Sequence, residues 1–247
     1  MISVDELINS PTLAFPMIIP TYNNFTYLKN TINFWAARGQ EEFVILDNGS
    51  TYPPMINLLN SLKEYLVVSS PENPGPRNFY QNQKIYHWLP NYFIVTDPDL
   101  EFNSEINMEQ INKLITLTDT LGLFKLGSRL NLDINAENIV DSTYLWGGRG
   151  NTIRNLEMQY YSSCIYVTDD GEPVFSAPID TTFAVYNKKN DAGFFGRSAR
   201  IGGIYMAEHL GWYLNHPVLE EERAFYLNSV SSVRHASAEV IRRGESW

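Results

Sequence analysis

Asp97 and Asp99 flank Pro98 where the apolar run Tyr92-Phe93-Ile94-Val95 ends. Two carboxylates set two positions apart around a rigid proline form a hard-oxygen site. Such a site suits Mg2+ or Mn2+, which keep waters and share their remaining positions with phosphate oxygens. Without a cation the pair would repel a diphosphate strongly, and with one it anchors it. A lone Asp-x-Asp triplet is a weak signal, but three other apolar runs also end in polar residues. These are Thr21 and Asn23, then Asp47, Asn48 and Ser50, then Asn73 and Arg77. Each cluster alone fits a turn or a helix cap.

The apolar periodicity supplies the elements that must position these groups. "FPMIIP" (15–20), "EFVILD" (42–47), "YLVVSS" (65–70) and "YFIVTD" (92–97) read as short buried strands. Between them Phe25, Leu28, Ile32 and Trp35, then Met55, Leu58, Leu59 and Leu62, recur at helical spacing, and a third helix is expected from Phe79 to Trp88. Strands alternating with helices indicate βαβ units, hence an α/β fold with a mostly parallel sheet and right-handed crossovers. That arrangement puts all four polar clusters on one edge, outside the carboxyl ends of the strands, where open parallel sheets bind ligands. A helix carrying Met108, Ile111, Leu114 and Ile115 and a fifth strand, "GLFKLG" (122–127), complete the regular half, residues 1–127.

From Ser128 the rhythm breaks, and residues 128–247 read as a smaller mixed region of the same domain. "GGRGNTIRN" (147–155) is a glycine-rich, basic loop. "SCIYVTDDGEPVF" reads as a hairpin around Asp170-Gly171, with Asp169 and Asp170 as turn residues. "TTFAVY" (181–186) is a further strand, and the last forty residues look largely helical.

The 247 residues suit one large domain, and 44% hydrophobic with 13% aromatic content builds a sizeable core. With 28 acidic against 18 basic residues the net charge is −10, which disfavours a general nucleic-acid binder. Cys164, the single cysteine, excludes internal disulfides and thiolate metal clusters, fits a reducing compartment and reads as a small core residue. Residues 1–12 lack the basic region of a secretory signal, and no window approaches the roughly 20 apolar residues of a membrane span. The expectation is a cytoplasmic protein, with peripheral membrane contact left open.

"PMIIPTYNN", "FVILDNGST", "NPGPRN" and "YFIVTDPDLEF", in this order and at these distances, resemble the nucleotide-binding half of GT-A glycosyltransferases, the family 2 type above all. The resemblance is good over residues 14–103 and continues less specifically through "APIDTTFAVY" and "RIGGIYMAEHLGWYLN". It implies a GT-A fold and a UDP-sugar donor held with Mn2+ or Mg2+. The acceptor would be a hydroxyl on a glycan, glycolipid or protein, and the transfer would invert configuration. It also implies roles. Thr21 and Tyr22, with Asn23, line the nucleoside pocket, and Asp47 accepts a hydrogen bond from the base while Asn48 and Ser50 shape the turn. Asn73 and Arg77 lie beside the nucleotide, Arg77 reaching towards its phosphates. Asp97 contacts ribose or metal-bound water, and Asp99 ligates the metal. Many relatives carry a second acid where Asn48 stands, so no second carboxylate is claimed beside Asp47.

An inverting transfer needs a carboxylate within reach of the acceptor hydroxyl. The resemblance points to Asp180 in "SAPIDTTFAVY", with Glu157, beside Tyr160 and Tyr161, as its competitor; Asp180 also fits a turn cap or a structural carboxylate bonded to Thr181. His209 in "AEHLGWY" matches the place where several relatives carry a metal-binding histidine, although a lone histidine equally fits a packed residue. Trp146, Trp212 and Tyr213 are candidates for stacking on an acceptor sugar or for core packing. "WGGRGNTIR" reads as a lid with Arg149 or Arg154 on phosphate, or as a solvated loop. Two other classes compete: a non-catalytic nucleotide-sugar-binding protein on the same fold, and a sugar-phosphate nucleotidylyltransferase. The latter would open with a glycine-rich phosphate loop that "IPTYNNFTYLK" lacks.

Overall fold

Met17–Thr21 and Phe43–Asp47 are buried at every position, as strands covered on both faces must be. The computed structural model describes residues 1–132, 143–144, 151–212 and 218–229. Its first half runs α1 (Val4–Ile8), β1 (Met17–Thr21), α2 (Phe25–Ala36), β2 (Phe43–Asp47), α3 (Pro53–Ser61), β3 (Leu66–Ser69), α4 (Asn78–Gln81), α5 (Gln83–Trp88), β4 (Tyr92–Val95), β5 (Leu100–Phe102), α6 (Met108–Thr120) and β6 (Lys125–Ser128). The second half adds β7 (Thr143–Tyr144), β8 (Asn151–Thr152), α7 (Ile153–Met158), β9 (Cys164–Val167), β10 (Pro173–Ser176), β11 (Ala184–Asn187), β12 (Ser198–Ile201), β13 (Ala207–His209) and α8 (Glu220–Ser229).

Among the described residues the main sheet has the order β3-β2-β1-β4-β11-β6-β12-β10-β9. The β1–β2, β2–β3, β1–β4 and β6–β12 pairs are parallel, whereas β11 runs antiparallel between β4 and β6. The fold is therefore α/β with a large, mostly parallel sheet flanked by helices, and strands of the second half extend that same sheet. A small second sheet pairs β5 with β13.

Alternation along the strands divides the interior into two cores. Met17, Ile19, Phe43 and Ile45 face α2, α3 and α6 through Leu28, Trp35, Met55 and Ile111. Ile18, Val44 and Leu46 face α1, α4 and α5 through Leu7, Phe79 and Ile85. Trp35 lies stacked on Phe183, centroids 5.2 Å apart, which ties α2 to the segment entering β11.

Several boundaries differ from expectation. The helix expected from Phe79 to Trp88 is broken at Asn82, whose backbone is extended and whose side chain caps α5 by accepting from Lys84 N and Ile85 N. Cys164 is exposed, because β9 is the sheet's edge strand and its residues face largely outwards. The strand expected at 181–186 begins at Ala184, after a bend through Asp180-Thr181-Thr182. Of the expected C-terminal helix, Glu220–Ser229 falls within the described residues. No helix among the described residues is long and apolar enough to cross a membrane.

Lys125 at the start of β6 has no solvent exposure, and its Nζ donates to the Ile179 carbonyl at 2.9 Å. Burial lowers its pKa to about 7. An unfolded lysine titrates near ~10.4, so between those values the unfolded chain binds the proton that the folded chain has released. Stability from this group is full above the unfolded pKa and is lost as pH falls towards 7. Chemical denaturation from pH 7 to 10 should show the wild type gaining stability relative to Lys125→Met as pH rises. A constant difference between the two would contradict the assignment.

Candidate functional site

The crevice opens where β1 and β4 part. Their pairing ends at Ile18↔Val95, at the point where strand order reverses, with β2 and β3 on one side of β1 and β4 on the other. Beyond that point lies a cavity of about 260 Å³, lined by Thr21 at the end of β1 with Tyr22 and Asn24 after it, Asn48 after β2, Asn73 and Pro76 after β3, and Asp97 to Asp99 after β4. The clusters that end the first four strands thus meet on one edge.

A buttress under the crevice sets its shape. Asn23 is fully buried with a positive φ of 54°; its Oδ1 accepts from Thr51 N and Tyr52 N, and its own N donates to Ser50 Oγ. Asp47 accepts from Ser50 N, and burial raises its pKa. Gly49 has φ +82°, and a Cβ there would stand 2.9 Å from the Pro71 carbonyl oxygen, so the turn needs glycine. Asn23, Asp47 and Ser50 therefore bind one another and the neighbouring backbone, and Thr21, Tyr22 and Asn48 are presented to the cavity. Thr21 Oγ1 and Asn48 Oδ1 are buried and have no hydrogen-bond partner among the described residues. Buried polar atoms are nearly always satisfied, so their place on a cavity wall marks them for a ligand.

The opposite wall is acidic. Thr31 Oγ1 of α2 donates to the Pro98 carbonyl at 2.6 Å, fixing the turn between the two aspartates. Asp99 leads into β5, and β5 pairs antiparallel with β13 in the register His209↔Leu100. Leu210 N continues the ladder to Asp99 O at 2.8 Å. That register delivers His209 to Asp99, Nδ1 to Oδ2 at 3.5 Å. Asp97, Asp99 and His209 each offer a ligand atom, and these atoms lie within 4.8 Å of one another. A Cβ on Gly211 would come 3.0 Å from Asp99 Oδ2 and 3.4 Å from the His209 ring, so glycine keeps the space beside the cluster open. Burial, and then the Asp99 charge, push Asp97 well above the usual carboxylate range, with a hydrogen bond from Thr181 opposing them. Two carboxylate oxygens and an imidazole nitrogen are ligand types that divalent cations take. The residues fit a divalent cation.

Asp180 stands beside this wall, next to the cavity-lining Thr181. Arg77 grips its carboxylate through two bonds, Nε to Oδ1 at 2.7 Å and Nη2 to Oδ2 at 2.6 Å. Both side chains stay partly exposed, at 31% and 42%. Arg77, expected over the donor phosphates, is thus found on the candidate base. Glu157 sits elsewhere, buried against Arg200 at 3.1 Å and accepting from Tyr161 at 2.8 Å. Trp146, Tyr213 and Arg149 lie outside the described residues, and the same holds for the side chains of Trp212 and Arg154.

The sequence predicts helix in this region but gives no sign that α8 reaches the crevice. Glu222 is fully buried and caps α2, accepting from Thr26 N at 2.9 Å and from Thr26 Oγ1. At the other end of α8, Ser229 receives hydrogen bonds from Tyr22 and Asn23. So held, α8 places Tyr226 on the cavity wall. Three consecutive acids, Glu220 to Glu222, marked a helix start, but nothing local showed that the third reaches across to α2.

No protein-family model and no curated protein matches the chain. Among solved structures it is similar to S. aureus TarS 1–349 in complex with UDP-GlcNAc, at 17% identity over 71% of this chain and 46% of that one, with a TM-score of 0.41. It is also similar to GalNAc-T7 with UDP, GalNAc and Mn2+, at 11% identity over 91% of this chain and 49% of that one, with a TM-score of 0.47. The chain spans about half the length of these structures.

Proposed function

We propose that the chain is a metal-dependent glycosyltransferase that moves a sugar from a nucleotide-sugar donor, a UDP-sugar, to a hydroxyl acceptor with inversion, in the assembly of a glycan or glycoconjugate. One observation carries this reading. The Asp97, Asp99 and His209 cluster faces, across a single crevice, buried polar atoms on Thr21 and Asn48 that lack partners among the described residues. A cation-binding wall opposite a hydrogen-bonding wall is what a nucleoside diphosphate requires.

In this proposal Thr21, Tyr22, Asn48 and Asn73 take the nucleoside, with Asn23, Asp47 and Ser50 fixing their turn from behind, and Tyr226 closes the pocket from α8. Asp97, Asp99 and His209 would hold the divalent cation, which when bound supplies Lewis-acid charge at the departing diphosphate. The acceptor oxygen bonds to the anomeric carbon as the bond from that carbon to the diphosphate oxygen breaks, and the electron pair leaves with the diphosphate. Asp180 takes the acceptor's proton. Both partners of the Asp180–Arg77 pair remain partly exposed, so water can take over the guanidinium when the carboxylate is released for this step.

The test is calorimetric titration with UDP, GDP, CDP and dTDP, each with and without Mn2+. Tight binding of UDP only with metal is expected, followed by UDP release from UDP-glucose, UDP-galactose or their N-acetylated forms. Failure of every nucleotide to bind with Mn2+ would remove the proposal. UDP binding with no turnover of any donor would turn it towards a binding protein.

A further inference from the structure

Behind the Asp180–Arg77 pair lies a lysine that the proposed chemistry leaves unused. Lys125 is wholly buried, its Nζ 3.4 Å from the centre of the Phe194 ring and 5.0 Å from that of Tyr186. The same Phe194 and Phe195 rings carry the Arg77 guanidinium on centroids 5.1 and 4.9 Å away. The lysine donates to the carbonyl of Ile179, the residue before Asp180, and Tyr186 Oη donates to the carbonyl of Asp180 itself at 3.2 Å. The bend that carries Asp180 into the site is therefore held at two successive carbonyls by side chains rising from β6 and β11. No strand pairing holds it there, because β11 begins only at Ala184.

An ammonium in an aromatic enclosure is an expensive way to satisfy one carbonyl. An apolar residue at this place in β6 would avoid the desolvation that lowers the lysine's pKa. The charged groups that act on Lys125 are Asp180, Arg77 and Asp191, the two acids favouring its charge and Arg77 opposing it. The ammonium thus answers to the same ion pair whose carboxylate it positions.

We propose that Lys125 is a positioning residue for Asp180, its buried ammonium fixing the Ile179 carbonyl, and with it the place of the Asp180 carboxylate beside Arg77. This rests on Asp180 being the base of the proposed transfer. A carboxylate displaced by about 1 Å from its working geometry loses up to roughly 10²-fold in rate, while donor binding, made by other strands, is left alone.

The experiment compares wild type, Lys125→Met and Asp180→Asn in UDP release from the donor that the wild type turns over, with water as acceptor, and in calorimetric UDP binding with Mn2+. Lys125→Met is expected to bind UDP as the wild type does and to lose roughly tenfold to a hundredfold in kcat. It should also lack a fall in kcat that the wild type shows on the alkaline side of pH 7, and a crystal structure should show Asp180 moved from Arg77. Normal kcat in Lys125→Met, with Asp180→Asn inactive, would overturn the inference and leave the transferase reading standing. Equal losses of kcat and UDP affinity would make the lysine merely structural and also overturn it. Full activity in Asp180→Asn would remove the base assignment, a separate failure visible without the lysine variant. Should Lys125→Met not fold, Lys125→Leu, which likewise removes both the donor and the charge, carries the same comparison.

Discussion

Replacing Asp99 with Ala is expected to abolish Mn2+-dependent UDP binding, a loss of about 100-fold or more in affinity, while the protein stays folded. Mutating residues that only orient metal ligands costs 10–100-fold in related settings, so removing a ligand should cost at least that much. The fold should tolerate the change. Asp99 holds its place through its backbone, whose carbonyl accepts from Leu210 N, and Pro98 is tied to Thr31, so neither anchor needs the carboxylate. Removing one of two close acids also relieves the repulsion that, after burial, raises the Asp97 pKa. Calorimetry with and without Mn2+, alongside a thermal melt, separates the outcomes. An Asp99→Ala protein that binds UDP as tightly as wild type in Mn2+ would end the metal-site assignment. Loss of binding together with a collapsed melting transition would mean that the carboxylate is structural.

How much of this site can be read from the chain depends on how far each contact reaches along it. β1 to β4 are legible because a strand buried on both faces has no polar positions to interrupt it, and the polar residues that end each one fall on one edge by the handedness of the crossovers. The break at Asn82 was readable in principle, since Asn is a preferred cap, but apolar spacing on both sides disguised it. The insertion of β11 between β4 and β6 was not readable, because pairing between segments this distant in the chain leaves no local pattern. His209 comes to Asp99 through two strands of three residues each, too short to show a period. Its assignment from sequence rested on family likeness alone. Arg77 illustrates the reverse limit. Its neighbourhood was anticipated, but its partner, Asp180, lies across the fold, and a side chain's choice between a phosphate and a carboxylate is a matter of three-dimensional placement. The asparagine and serine of the "DNGS" turn show the same thing on a smaller scale. Composition announces a turn, and only geometry divides its residues into those that face a ligand and those that hold the turn together.

Asp180→Asn should leave UDP binding within about twofold of wild type and lower turnover by roughly 10²–10⁴-fold, the usual contribution of a general base. Asparagine keeps the size and one acceptor oxygen of aspartate, so one hydrogen bond from Arg77 can persist and the bend through Thr181 has no reason to shift. What it lacks is an oxygen able to take a proton. The loss should therefore fall on kcat and spare KM for the donor, as expected for a group that acts only in the transition state. Glu157 is poorly placed to compensate, because its carboxylate is buried in an ion pair with Arg200 and is also hydrogen-bonded to Tyr161. Glu157→Gln serves as the control and is expected to lower stability more than kcat, since breaking a buried pair leaves Arg200 uncompensated at a typical cost of about 3–5 kcal/mol. Normal turnover in Asp180→Asn with inactive but folded Glu157→Gln would transfer the role of base to Glu157. That result would also require the Glu157–Arg200 pair to open during catalysis, which a crystal structure with donor bound would reveal.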